Sequence, residues 1–149
     1  MTQNLLIVNL LKNYKLQLLQ KLPQTLLCNI NGIKVDFIRF HYSFIRPILD
    51  IENIRMLSVE DIAPMKLDAV TGRGSKKGFY DIYFLLQKFN LNTLFSLYLE
   101  KYPHQTTFHV ARSLTYFVDA EPDPEPVVFD KNVSWEKVKK TILKEVQKL

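Results

Sequence analysis

Cysteine is almost absent from this sequence, which has Cys28 as its one example in 149 residues. A single cysteine excludes an internal disulfide bond and a zinc site built from several cysteines. The three histidines, His41, His104 and His109, are too scattered to form a recognisable metal motif. No apolar run is long enough to span a membrane, and the first residues lack the basic region that begins a secretory signal. We therefore expect a cytoplasmic protein with no membrane partner.

The rest of the composition is that of a globular protein. Hydrophobic residues make up 47% of the chain and aromatic residues 12%, a balance that favours a folded core over disorder. The net charge of +5 permits an anionic partner such as RNA, although solubility explains it equally well. We predict a single domain over 1–149. Its parts are a partial sheet region over 1–57, a helical region over 58–118, an acidic proline-rich linker over 119–132 and a terminal helix over 133–149.

The first part of the chain favours one helix and a small antiparallel sheet. Leucines at near-helical spacing predict an amphipathic helix from Asn4 to Lys21. Residues 25–40 predict a β-hairpin, because the dipeptide Asn31-Gly32 favours a two-residue type I′ turn between two apolar runs. A short third strand is predicted over 54–57. Together with the helical periodicity that follows, these elements predict an α+β fold.

The second strand of the hairpin separates apolar from charged residues. Successive side chains of a strand alternate between its two faces. Ile33, Val35 and Phe37 therefore point one way, while Lys34 and Asp36 point the other. Taken alone, Asp36 is an ordinary exposed aspartate on a strand.

Two helices joined by a glycine-bearing turn are predicted over 58–89. Ser58 is a good N-cap, because its hydroxyl accepts a hydrogen bond from an amide of the first helical turn. Pro64 removes one hydrogen bond inside the first helix and is expected to kink it. Gly72 and Gly74 are expected to end that helix, because glycine adopts the left-handed conformation without penalty.

Lys66, Arg73 and Asp81 lie beside the apolar faces of these two helices. A solvated helix keeps its charges on the far side, and burial of an unpaired charge is costly. The three residues therefore form either a partly buried ion-pair network that joins the helices or part of a functional site. Both interpretations fit the sequence.

The remainder of the chain is predicted to be mainly helical. One helix is expected over 92–102, with Asn92 as its N-cap, and another over 104–118. Ser134 is expected to cap a final helix. Between them, residues 119–130 are expected to be extended and solvated, although their five acidic side chains also suit contact with a basic surface. One face of the final helix carries a lysine row that is more often solvated than bound to RNA: Lys137, Lys140, Lys144 and Lys148.

The two predicted helices carry motifs that resemble a known family. The segment Glu60 to Leu67, the pair Arg73-Gly74 and the segment Lys77 to Leu86 follow one another at nearly the family's spacing. This pattern is similar to that of the AbiEii/AbiGii nucleotidyltransferase-like toxins of type IV toxin–antitoxin systems. The predicted strand Ile33 to Ile38 resembles the family's third-carboxylate strand, and Ser113 to Glu121 resembles its C-terminal region.

Two features depart from the family pattern. Gly78 stands where the family usually has an acidic residue. The family also opens with a Gly-Gly or Gly-Ser turn followed by an Asp-x-Asp strand. Here the one Gly-Ser pair, Gly74-Ser75, lies between two predicted helices with no Asp-x-Asp after it. We therefore expect the sequence to begin downstream of the nucleotide and metal site, with a nucleotidyltransferase-like sheet that is only partial.

The resemblance implies roles for five residues. Asp36 would be the third carboxylate of a site that holds Mg²⁺ and a nucleoside triphosphate. Lys66 would approach the triphosphate or support the catalytic network, and Asp81 would be a polar or catalytic residue on the next helix. Arg73 and Lys77 would supply positive charge for phosphate or RNA. The implied partners are a cognate antitoxin, tRNA as a candidate acceptor, and a separate N-terminal piece that completes the site.

Three hypotheses about function remain open. The first is a nucleotidyltransferase toxin that is incomplete and inactive alone. The second is a non-enzymatic module that binds RNA or an antitoxin through its basic helices. The third is a folded remnant without activity, in which Lys66, Arg73 and Asp81 are purely architectural, so that Asp81→Asn lowers stability by a few kcal/mol.

Overall fold

The computed structural model describes residues 3–149 and divides the chain into two units, one ending at His41 and one spanning Tyr42–Leu149. The described residues contain six α-helices, one 3₁₀ helix and two small antiparallel sheets of three and two strands. The predicted α+β class with a helix-rich C-terminal region is confirmed. No helix in this part of the chain has the length and apolar character needed to cross a membrane. The extent of the single domain stays a prediction.

The first unit consists of one helix and a three-stranded antiparallel sheet in the order β1-β2-β3. Its elements are α1 (Gln3–Asn13), β1 (Leu16–Leu22), β2 (Thr25–Ile30) and β3 (Ile33–Ile38). The predicted helix from Asn4 to Lys21 is therefore wrong in its second half. The leucines over 16–22 satisfy a strand as well as a helix, and pairing with β2, from Leu16 opposite Ile30 to Leu22 opposite Thr25, supplies the backbone hydrogen bonds.

The hairpin between β2 and β3 is confirmed. Asn31 and Gly32 have φ angles of 52° and 89°, as a type I′ turn requires. Cys28 is fully buried in β2, and its Sγ lies 3.3 Å from the carbonyl oxygen of Val35 on β3. On the other side of β3, Asp36 lies opposite Leu27 and is exposed.

The second unit begins with a short hairpin formed by β4 (Leu49–Ile51) and β5 (Ile54–Met56). Its turn residues Glu52 and Asn53 have positive φ angles of 53° and 64°. The short strand predicted over 54–57 is present, but it pairs with β4 rather than with the first sheet.

Helices make up most of the second unit. They are α2 (Val59–Gly72), α3 (Lys76–Leu85), α4 (Leu91–Lys101), α5 (Thr107–Leu114) and α6 (Trp135–Val146), with a 3₁₀ helix at Val118–Ala120. Their inner faces form one apolar core, whose fully buried members include Leu67, Phe79, Leu94 and Ile142. Full burial of each such side chain stabilises the fold by about 1.5–3 kcal/mol.

Some helix boundaries follow the predicted capping chemistry and others do not. The Ser58 hydroxyl accepts from the Asp61 amide, as predicted, and α2 continues through the buried Pro64. Gly72 and Gly74 do not take positive φ angles, so the predicted left-handed end of α2 is wrong. The helix ends instead at extended Arg73, whose φ is −143°.

The later helices also differ from the predicted boundaries. Asn90, not Asn92, caps α4, because its side-chain oxygen accepts from the Thr93 amide. The helix predicted over 104–118 is limited to α5. The Ser134 cap of α6 is confirmed, since its hydroxyl accepts from the Lys137 amide.

Candidate functional site

Two of the predicted site residues lie together where α2 and α3 meet. Lys66 on α2 donates from Nζ to Oδ2 of Asp81 on α3, over 2.7 Å. Their side chains are 39% and 32% exposed, so the pair forms at the edge of the core and remains open to solvent. An ion pair in such a position contributes about 0–1 kcal/mol to stability, because water screens it. The helices therefore gain little from this contact, and Lys66 remains accessible to a ligand.

Gly78 explains one departure from the family pattern. A Cβ atom at this position would lie 3.3 Å from Cγ2 of Val70 on α2 and 3.4 Å from Oγ of Ser75. The contact with Val70 is tighter than ordinary packing, so a larger residue fits only if Val70 or a helix shifts by a few tenths of an ångström. Gly78 lies three residues before Asp81, on the same side of α3.

Arg73 and Lys77 are exposed cations in the segment between Lys66 and Asp81. Lys77 lies one turn before Asp81 on α3, and Arg73 follows the last turn of α2. Within residues 3–149, no hydrogen bond or ion pair reaches either side chain. Arg73 therefore takes no part in an ion-pair network with Lys66 and Asp81, which was one of the two interpretations of the sequence. Both cations are free to contact an anionic ligand.

A second ion pair, between Asp61 and Lys101, is completely buried and was missed from the sequence. Oδ1 of Asp61 on α2 lies 2.7 Å from Nζ of Lys101 on α4, and both side chains have no exposed surface. Asp61 also accepts from the backbone N–H groups of Ile45 and Arg46, at 3.0 and 2.9 Å. Nζ of Lys101 donates to the carbonyl of Ser43 as well.

Opposing effects act on the pKa of Asp61. Burial raises this pKa, but hydrogen bonds from Lys101, Ile45, Arg46 and the Ser58 hydroxyl together outweigh burial, so the pKa lies below its ordinary value. Asp61 is therefore ionised near neutral pH. Through the amides of Ile45 and Arg46, Asp61 connects the segment that begins the second unit to the N-terminal turn of α2. Asp61 also lies in the first turn of α2, where a negative charge suits the positive end of the helix dipole.

The sequence profile of the family described as "Nucleotidyl transferase AbiEii toxin, Type IV TA system" matches residues 30–148. The chain belongs to this AbiEii family. The matched range contains Asp36, Lys66, Arg73, Lys77 and Asp81.

A curated relative also matches most of the chain. The chain is 34% identical over 131 residues to the uncharacterized protein aq_aa25 of Aquifex aeolicus (strain VF5). The match covers 83% of this chain and 60% of that protein, so the chain spans less than two thirds of its relative's length. No solved structure matches the chain.

Asp36, the predicted metal ligand, lies in the first unit on β3. Its carboxylate is 3.9 Å from Nζ of Lys34, and its side chain is 40% exposed. Within residues 3–149, no group of three or more histidine, cysteine, aspartate or glutamate side chains could hold a metal ion. A two-magnesium site requires several carboxylates together with phosphates. The described residues alone do not fit such a site, and Asp36 supplies at most one of its ligands.

Cys28 does not have the properties of a nucleophile. Burial raises the pKa of its thiol, and the negative charge of Asp36 raises this pKa further. The thiol is therefore protonated near neutral pH, whereas a reactive cysteine needs a thiolate. Cys28 is therefore a small residue of the sheet interior.

The acidic segment after α5 contacts basic residues instead of extending into solvent. Nζ of buried Lys76 donates to the Asp123 carbonyl over 2.7 Å, and it forms a 3.4 Å ion pair with Glu125. The Tyr80 hydroxyl donates to Glu125 over 2.8 Å. Burial and then Glu125 raise the pKa of Tyr80 to about 12. Of the two arrangements considered for this segment, contact with a basic surface is the one observed.

Glu121 connects the same segment to α6. It accepts from Trp135 Nε1 over 3.0 Å and from Lys139 Nζ over 2.8 Å. The hydrogen bond from Lys139 and then the one from Trp135 lower the pKa of Glu121. The same Lys139–Glu121 hydrogen bond raises the pKa of Lys139. The segment is therefore part of the helical unit.

Proposed function

We propose that this chain contributes the phosphate-facing helices of an AbiEii nucleotidyltransferase toxin that acts in the cytoplasm. The complete toxin transfers a nucleotide from a nucleoside triphosphate to an RNA acceptor, with tRNA as the candidate. A hydroxyl oxygen of the acceptor attacks the α-phosphorus, and pyrophosphate leaves. The observation that carries the proposal is the solvent-open Lys66–Asp81 pair, with its 2.7 Å contact, inside the region matched by the family.

Within this proposal, Lys66 contacts the triphosphate and Asp81 positions it. The carboxylate of Asp81 limits the orientations of the Lys66 ammonium group, which favours contact with phosphate oxygens. Arg73 and Lys77 have no partners of their own among the described residues, so they suit the phosphates of the triphosphate or the acceptor. Asp36 supplies one carboxylate. Mg²⁺, when bound, would neutralise charge on the triphosphate.

The proposed transfer needs carboxylates that residues 3–149 do not bring together. We therefore propose that the chain alone is inactive and that a piece carrying a Gly-Ser…Asp-x-Asp segment completes the site. A cognate antitoxin is the proposed protein partner, as for a type IV toxin. A Gly-Ser…Asp-x-Asp segment encoded immediately upstream would identify the completing piece.

A transfer assay tests the proposal. The purified chain, with and without the upstream-encoded piece, is incubated with tRNA, Mg²⁺ and each labelled nucleoside triphosphate, and the label on RNA is measured. Label is expected only with both pieces. Lys66→Gln and Asp81→Asn are expected to lower transfer at least 100-fold, because each removes part of the charge stabilisation. Lys88→Gln, an exposed change on the same part of the chain, is the matched control. Full transfer by Lys66→Gln would reject the assignment.

The alternative function is a non-enzymatic module that binds RNA through α6. Lys140 and Lys144 favour it, because within residues 3–149 no hydrogen bond or ion pair reaches them. The lysine row of α6 offers less free positive charge than the sequence suggested, since Lys148 pairs with Glu145. The alternative predicts salt-sensitive RNA binding that survives Asp36→Asn but is abolished by charge reversal of Lys140 and Lys144.

A further inference from the structure

A cavity of about 410 Å³ lies between the C-terminal ends of α2 and α5. Gly72, Arg112, Tyr116 and Asp119 are among the residues that line it. Its volume falls within the roughly 300–1,000 Å³ that is common for sites of small molecules. The residues proposed to carry the transfer reaction do not line this cavity.

Arg112 and Tyr116 border the cavity without partners of their own. Within residues 3–149, no hydrogen bond, ion pair or ring contact reaches the Arg112 guanidinium or the Tyr116 ring and hydroxyl. Tyr116 is 52% exposed, so part of its side chain is open to solvent. A guanidinium beside an open aromatic ring is the pair of groups that binds a phosphate and a base in single-stranded nucleic acid.

The other groups around the cavity accept hydrogen bonds. Helix α2 ends at Gly72, where the last carbonyl groups lack intrahelical partners, whereas the Arg112 and Ser113 carbonyls of α5 already accept from the Thr115 and Tyr116 amides. The carboxylate of Asp119 adds a negative charge. A bare inorganic anion offers these acceptors no hydrogen-bond donor. A nucleotide suits them, because its ribose hydroxyls and base amino groups donate hydrogen bonds while its phosphate meets Arg112.

We propose that this cavity binds one nucleotide of a single-stranded RNA, with its base on Tyr116, its phosphate at Arg112 and its hydrogen-bond donors at Asp119. The proposal rests on the proposed function in one respect, since it gives the RNA acceptor a place to bind. Arg73 follows Lys66 by seven residues, about 10 Å along a helix. An RNA strand held in the cavity would therefore pass the free guanidinium of Arg73 on its way to Lys66.

RNA binding without nucleoside triphosphate or Mg²⁺ tests the cavity independently of transfer. The probe is a short fluorescein-labelled oligoadenylate RNA, and fluorescence anisotropy of the full chain is measured at several salt concentrations. Tyr116→Ala is expected to weaken binding roughly 5- to 150-fold, the effect of losing one base stack. Tyr116→Phe keeps the ring and is expected to bind as the unmodified chain does. Arg112→Gln is expected to reduce the salt slope by about 0.7, the value for one phosphate contact on a single strand.

Gly72 provides a test that removes no binding group. A Cβ atom on Gly72 meets no atom within 4 Å, and its φ is not positive. Gly72→Phe is therefore expected to fill the cavity and block RNA, while Gly72→Ala leaves binding unchanged. A thermal melt of each variant establishes that it is folded.

Several results would overturn the proposal. Unchanged RNA affinity in both Tyr116→Ala and Arg112→Gln would do so. A loss of RNA binding in Lys140→Gln, on α6, as large as the loss expected for Tyr116→Ala would also do so. Equal affinity for 5′-AMP and the oligonucleotide would assign the cavity to a free nucleotide instead. Because no transfer is measured, a failed transfer assay with intact, Tyr116-dependent RNA binding would reject the proposed activity and leave the cavity assignment standing.

Discussion

Replacing Asp61 by asparagine tests the role of the buried ion pair in stability. The substitution leaves the Lys101 ammonium group buried without its 2.7 Å carboxylate partner. Removing one partner of a buried pair costs about 3–5 kcal/mol, because the remaining charge has lost its compensation. Asp81→Asn is the matched control, since it removes the same kind of contact at the same 2.7 Å between side chains that are 32% and 39% exposed. Its expected cost is below about 1 kcal/mol.

Urea denaturation followed by tryptophan fluorescence measures both effects. Trp135 is the only tryptophan, is 7% exposed, and packs against Phe79 and Phe117 with ring centroids 5.7 Å apart. Its emission therefore reports unfolding of the helical unit. With a slope of about 2 kcal/mol/M, Asp61→Asn is expected to lower the midpoint by roughly 1.5–2.5 M, and Asp81→Asn by less than about 0.5 M. Equal shifts in the two variants would refute the reasoning, as would a larger shift in Asp81→Asn.

The pH dependence of stability gives a second measure of the same pair. The folded pKa of Asp61 is lower than its ordinary value of 3.8, so its contribution is complete above that value. The contribution is lost as pH falls through the folded pKa, because the unfolded chain then takes up the proton more readily. Asp61→Asn is therefore expected to lose less stability than the unmodified chain between neutral and acidic pH. If the free energy of unfolding fell by the same amount with pH in both proteins, this prediction would be contradicted.

Three further predictions concern other parts of the chain. Cys28 is expected to resist a thiol reagent such as DTNB in the folded chain and to react in urea, since it is buried and its pKa is raised; rapid reaction without urea would contradict this. Burial and then Glu125 raise the pKa of Tyr80 to about 12, so Tyr80 is expected to ionise late in an alkaline absorbance titration. The stability that this shift contributes is complete below pH 10 and is lost as the pH rises toward 12. Glu125→Gln is expected to shift the ionisation of Tyr80 to lower pH. Gly78→Asp introduces the acidic residue that is usual in the family. It is expected to destabilise the chain by about 1–3 kcal/mol in the same urea assay, because Val70 leaves too little room for a side chain. An unchanged midpoint would show that α2 and α3 separate easily.

Elements determined by local chemistry could be predicted from the sequence. The Asn31-Gly32 turn is an example, because two successive positive φ angles require residues of this kind. The Ser58 cap is another, since its hydroxyl bonds to an amide only three residues away. The partners of Lys66 were partly predicted as well, because two consecutive helices with a short turn bring Asp81 alongside it.

Features determined by distant parts of the chain could not be predicted in this way. The leucines over 16–22 fit either a helix or a strand, and pairing with β2 decides between them. Asp61 and Lys101 are 40 residues apart, and nothing in either local segment indicates that they meet. Arg112 and Tyr116 were treated as parts of one helix. In the structure α5 ends at Leu114, and both residues line one cavity with the last residues of α2.

The first sheet has a consequence for how a nucleotidyltransferase site would be assembled. Within residues 3–149, β3 pairs with β2 alone, so the N–H and C=O groups along its other edge can accept another strand. A strand added there would place its side chains about 4.5–5.5 Å from those of β3, the spacing of neighbours across a sheet. Two aspartates on the face that Asp36 occupies would then share one small region with it. The backbone edge of β3 would align an incoming strand with Asp36, the proposed third carboxylate.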